Sequence, residues 1–191
     1  MKIRPLLLLE RSLNSLKSVT AANFGGGRDQ RSNEVQVNDI KYIPSLQQSI
    51  LRVEAITFSS PSSQRYRSVV ELHGVEFIDE SRYNFLQKAE QRDAKRYNSF
   101  MFNAGGTNYY ASYDRVKTLD VKVNCTCEDF RWRFASFNFK DDSLFGNPPP
   151  AYASKTDRPP VNPSKTPGVC KHLLKLKKEL EREEFFRKLL N

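Results

Sequence analysis

All three cysteines of the chain fall in two short motifs, Cys125-Thr126-Cys127 and Cys170-Lys171-His172, and one of its only two histidines closes the second. A tetrahedral zinc site takes four thiolate, imidazole or carboxylate ligands. This stretch supplies Cys, Cys, Cys and His with no cysteine left over. A fold that uses the set must bring residues 125 and 172 to one point across a long spacer. That closure costs little, because loop-closure entropy grows only logarithmically with length.

A single residue separates the members of each pair. Alternate side chains of an extended segment share a face, so the C-x-C suits the end of a strand, while the C-x-H opens a helix. Other uses of these residues stand beside this one. The cysteines can be buried inert thiols, or Cys125 and Cys170 can form a disulfide that leaves Cys127 odd. A nucleophile-base pair of Cys170 and His172 needs hydrogen-bond reach, which side chains two apart on a helix do not have.

The surrounding residues extend the pattern. Cys125-Thr126-Cys127-Glu128-Asp129-Phe130 followed by Val169-Cys170-Lys171-His172-Leu173-Leu174 resembles the SWIM-type zinc finger, with its C-x-C, variable spacer and C-x-H. The spacer, 128–169, is longer than that family usually carries. The resemblance implies one structural zinc ion on Cys125, Cys127, Cys170 and His172, a strand hairpin delivering the C-x-C, and a role in DNA binding or protein interaction. The wider layout, with Asn162-Pro163-Ser164-Lys165-Thr166-Pro167-Gly168 before the C-K-H-L-L, looks like zinc-binding structural proteins of tailed bacteriophage virions. That likeness implies a virion component of head, neck, tail or baseplate, with other subunits of a large assembly as partners.

Composition narrows the classes. No segment approaches the roughly 18 consecutive apolar residues of a membrane span, and no membrane partner is expected. The leucine run Leu6–Leu9 ends at Glu10, short of the about 7 to 15 apolar residues of a secretory signal. A chain without a signal stays in a reducing compartment, the virion or alternatively the cytoplasm, where thiolates serve metals rather than disulfides. The net charge of +9, from 31 basic and 22 acidic residues, favours a polyanionic partner such as nucleic acid or an acidic protein surface.

Along the chain, Leu6, Leu9, Leu13 and Leu16 have helical spacing. Gly25-Gly26-Gly27 reads as a flexible linker, since no P-loop G-K-[ST] follows. Val35, Val37, Ile40 and Tyr42 read as a strand broken near Asn38-Asp39. The stretch 49–58 reads as a second strand, or as a helix through Leu46, Ile50 and Val53. Ser59 to Ser63 is a polar loop. The stretch 66–78 reads as one strand carrying His73, taken as a hydrogen-bonded structural histidine. The stretch 81–97 is helical, and 103–108 is a turn. Tyr109 to Tyr113 and Val116 to Val123 then form the hairpin that ends in Cys125.

Within the spacer, Phe130 to Phe139 interleaves aromatic and basic residues. Arg131, Trp132 and Arg133 can stack on bases and pair with phosphates, or the run can be a short helix packing its rings beside the metal. Seven prolines between 148 and 167 favour an extended path. In the last helix Leu173, Leu176 and Leu180 form one stripe, while Phe185, Phe186, Leu189 and Leu190 form another that needs a partner surface.

The expectation is an α+β chain: a small antiparallel sheet and hairpins, a zinc-stapled C-terminal ββα-like module, a long Pro-rich loop and terminal helices. Its parts are an N-terminal helix and linker (1–33), an α+β body (34–105) and the zinc-binding module (106–191). With four protein ligands on the metal and no paired-carboxylate, triad or nucleotide motif, no enzyme activity is expected.

Overall fold

Strict alternation organises the larger sheet. Leu51, Val53, Ala55, Thr57 and Ser59 are buried while the residues between them are half-exposed, the signature of a strand with one face on the core. A computed structural model describes residues 12–59, 64–93, 99–112, 120–150 and 161–182. Its strands are β1 (Val35–Ser45), β2 (Ile50–Ser59), β3 (Arg65–His73), β4 (Glu76–Ile78), β5 (Ser99–Ala104), β6 (Thr107–Ser112) and β7 (Asp120–Cys125). Its helices are α1 (Leu13–Phe24), α2 (Gly27–Arg31), α3 (Glu80–Asp93), α4 (Glu128–Arg133), α5 (Ala135–Lys140) and α6 (Lys171–Arg182). The protein is α+β, with a four-stranded antiparallel sheet ordered β1-β2-β3-β7 and a three-stranded one ordered β4-β6-β5.

Register puts like with like. Leu51, Leu72 and Val121 lie in one row across the larger sheet, and Val53, Val70 and Val123 in the next. Helix α6 lies across this face and approaches all four strands. Its Leu173, Leu176 and Leu180 are fully buried, each worth about 1.5–3 kcal/mol of apolar burial. The expected leucine stripe is therefore the face that docks. The second stripe, Phe185, Phe186, Leu189 and Leu190, lies outside the described residues.

Several sequence expectations are corrected. The stretch 66–78 is two strands in two sheets, because Gly74 takes φ 85° and turns the chain between them. Tyr109 to Ser112 belongs to β6, which pairs with β4 and β5, whereas β7 pairs with β3. The segment that delivers the C-x-C is thus an edge of the larger sheet, not half of a hairpin with its predecessor. Strand β5 was not expected. It joins β6 through Gly105 and Gly106 at φ 60° and 84°, the left-handed pair that a two-residue hairpin turn requires.

The glycine run is also more than a linker. Gly25, at φ 71°, ends α1 by giving its N–H to Ala21 O at 2.9 Å, and Gly27 begins α2, which buries Arg28. The helix expected from Leu6 is present from Leu13, with Leu13 and Leu16 in the core; Leu6 and Leu9 lie outside the described residues, as do 60–63 of the polar loop and Val116. The break near Asn38-Asp39 is a bulge, with Asp39 at φ 52°. The stretch 49–58 is strand rather than helix, and His73 bonds Glu71 Oε1 at 2.9 Å. No helix among the described residues is long and apolar enough to cross a membrane.

Candidate metal centre

Sheet register aims the first ligand. Ala55, Ser68 and Cys125 form one cross-strand row on the covered face, so Cys125 points toward α6 for the same reason that Val121 and Val123 do. The β3–β7 ladder then runs one residue further: Thr126 donates its N–H to Arg67 O at 3.1 Å, and Arg67 donates its N–H to Thr126 Oγ1 at 3.0 Å. Cys127 remains extended and caps α4, its sulfur accepting the Phe130 N–H at 3.3 Å. Cys170 immediately precedes α6 and accepts the Leu174 N–H at its carbonyl. His172 is the second residue of that helix.

These four residues converge. One ligand atom from each of Cys125, Cys127, Cys170 and His172 lies within 4.8 Å of all the others. A tetrahedron with metal–sulfur bonds of about 2.3 Å has edges of about 3.8 Å, so closing on an ion needs shifts of no more than about an ångström. All four residues are at most 3 % exposed. They are positioned to bind one metal ion, and three sulfurs with one imidazole are a donor set consistent with zinc.

The surroundings suit a metal ion. His172 Nδ1 faces the sulfurs, 4.0 Å from Cys170 Sγ, while Nε2 lies 3.4 Å from Ser59 Oγ. The Ser68 hydroxyl donates to Cys125 Sγ at 3.6 Å, and the Tyr66 ring packs on the His172 ring with centroids 4.6 Å apart. Burial favours neutral thiols, yet hydrogen bonds from Cys127, Cys170 and Ser68 outweigh it at Cys125 and hold its pKa well below the ordinary thiol value. Burial, reinforced by Cys125 and Cys127, pushes the Cys170 thiol well above it. A divalent cation bound here would let several thiolates coexist. Burial, with the neighbouring Cys127 charge, likewise raises the Tyr66 hydroxyl and keeps it protonated.

No family model matches the chain, and no curated protein or solved structure is significantly similar to it.

The spacer is packed rather than loose where it is described. After α5 it runs beside β7, with Val123 donating its N–H to Ser143 O at 2.8 Å and Phe145 donating to Val123 O at 3.0 Å. The fully buried Asn138 clamps the return: its Nδ2 donates to Gly168 O at 3.1 Å and its Oδ1 accepts the Gly168 N–H at 2.8 Å. Val169 donates its N–H to Thr20 Oγ1 at 3.0 Å, tying α1 to the residue before Cys170. Gly168 sits so close to Phe134 and Thr20 that a Cβ there would lie 2.7 Å from each.

Phe130 and Phe134 of the aromatic run are fully buried, which places the rings beside the cysteines as the helical reading expects. Arg131 and Trp132 are exposed and pair with one another, the guanidinium 4.7 Å from the ring centroid. Arg133 turns instead toward Asp129, 3.1 Å away. Sequence reasoning missed Ser59, Ser68, Thr20 and Arg28. For Ser59 the available signal was phase: it continues the buried register of Leu51, Val53 and Ala55, and a polar residue at a core position needs a partner.

Proposed function

We propose that this chain is a non-enzymatic structural protein, stapled by one zinc ion in a SWIM-like arrangement, whose surfaces dock neighbouring chains of a large assembly. The observation that carries the staple is the burial of all four ligands, drawn from the end of β7, the cap of α4 and the start of α6. A site closed by four protein ligands has no open position for a water or substrate. Its binding energy is folding energy instead.

The four ligands join the sheet edge, the spacer and the helix that covers the sheet. Loss of the ion would free three elements at once. The assembly role rests on the resemblance of the C-terminal third to tailed-phage virion proteins, and on the apolar stripe that the sequence spaces as Phe185, Phe186, Leu189 and Leu190. Deleting 185–191 tests it. The truncated chain should keep its metal and its fold yet fail to enter the particle; normal incorporation would remove the docking role.

A second reading, nucleic-acid binding, is favoured by the exposed Arg131–Trp132 pair, a base-stacking and phosphate-pairing surface of the kind single strands use. Arg131→Ala with Trp132→Ala should abolish salt-sensitive oligonucleotide binding if it holds. Absence of any such binding in the parent chain would end that reading.

A further inference from the structure

Beside the metal centre lies a cavity of about 380 Å³ whose walls include four cations, Arg28, Arg31, Arg133 and Lys171. Two carboxylates, Glu128 and Asp129, share it, together with Cys127 and His172 of the metal centre. Asp129 is divided between two guanidinium groups, 3.1 Å from Arg133 Nε and 3.5 Å from Arg28 Nε. Among the described residues, Arg31 and Lys171 have no carboxylate within ion-pair distance. The cavity therefore carries two cations beyond its carboxylates.

Arg28 makes the cavity a built site rather than a patch of surface lysines. Its side chain is 8 % exposed, and its guanidinium lies 4.9 Å from the Phe24 ring centroid and 5.6 Å from that of Phe134. Its one hydrogen bond, from Nε, is the long contact to Asp129. The two terminal amino groups thus donate to no described residue, although the fold has spent α1, α2 and α4 on holding the group in place. Tyr66 adds a hydroxyl to the same wall.

We infer that this cavity binds a phosphate group. The cations outnumber the carboxylates by two and still leave a net positive wall beside a zinc centre of three thiolates, which suits an anion, and guanidinium forks with an ammonium and a hydroxyl offer the several donors that phosphate oxygens accept. A carboxylate would leave charge and donors unused. This inference is independent of the assembly reading, because it rests on α1, α2 and α4 rather than on 185–191.

The test is titration of the purified full-length chain with inorganic phosphate, followed by calorimetry and by the phosphorus resonance. One saturable site is expected. Arg31→Ala removes an exposed cation that has no ion pair to lose, and should weaken binding about tenfold with melting temperature and metal content unchanged. Lys171→Ala should act in the same direction, and the two together more strongly than either. Absence of saturable binding at millimolar phosphate, or equal affinity in both variants, would overturn the assignment. A single-stranded oligonucleotide added as competitor separates the sources. Competition supports a polynucleotide phosphate and its absence a small phosphorylated molecule, the site standing in either case.

Discussion

Ser59 Oγ lies 3.4 Å from His172 Nε2, joining the last residue of β2 to the second residue of α6, and both side chains are buried. With Nδ1 turned to the sulfurs, a neutral imidazole that gives Nδ1 to a cation carries its proton on Nε2, where the serine oxygen accepts it. Such partners fix the tautomer and orientation of a ligating histidine, and their loss typically weakens metal binding 10- to 100-fold. Ser59→Ala should produce a loss in that range in a chelator competition, with one metal still bound at saturation. Unchanged affinity would show that the hydroxyl does not hold the ring.

Gly168→Ala should destabilise the fold. Its methyl group would meet the Phe134 ring and Thr20 Oγ1 at 2.7 Å, and Phe134 is itself fully buried. Overpacking of this kind costs about 1–3 kcal/mol. Because Cys170 is two residues on, metal affinity should fall along with the denaturation midpoint. A variant as stable as the parent would mean that the return of the spacer is not fixed at this point.

On the other face of the sheet, Arg67 donates two hydrogen bonds to Glu54, at 2.9 and 2.6 Å. That bond, helped by the charges of Arg67, Arg52 and Lys41, holds Glu54 below the ordinary carboxylate pKa despite burial. A depressed folded-state pKa stabilises the protein above the unfolded value, about 4.3, and the contribution is lost as pH falls through the folded value. Arg67 is half-exposed, so the effect should be only about 0.5–1 kcal/mol. Glu54→Gln should therefore be less stable than the parent by that margin at neutral pH, the gap closing in acid. A gap constant across pH 2–7 would contradict the assignment.

The two ligand motifs were legible because their chemistry is local: C-x-C at a strand end and C-x-H at a helix start need only their own spacing. The phase of β2 was legible for the same reason. What could not be read was partnership. Nothing in Val121-Lys122-Val123 says that its neighbour is Val70-Glu71-Leu72 rather than Tyr109-Tyr110-Ala111, since both pairings satisfy the same alternation. The hairpin turn at Gly105-Gly106 was visible, yet Phe100 and Phe102 before it, alternating with Met101 and Asn103, were not recognised as its first strand. Arg28 was not legible because the two rings beside its guanidinium, Phe24 and Phe134, which meet edge to face, are 110 residues apart in sequence.

On the reading proposed above, a metal ion closes the fold at Cys125, Cys127, Cys170 and His172. Elemental mass spectrometry of the purified chain, with Cys127→Ser measured alongside by circular dichroism, tests it most directly. One zinc per chain is expected, lost in the variant together with cooperative unfolding. A parent chain that is folded and carries no metal, or a Cys127→Ser variant that keeps both zinc and stability, would contradict it.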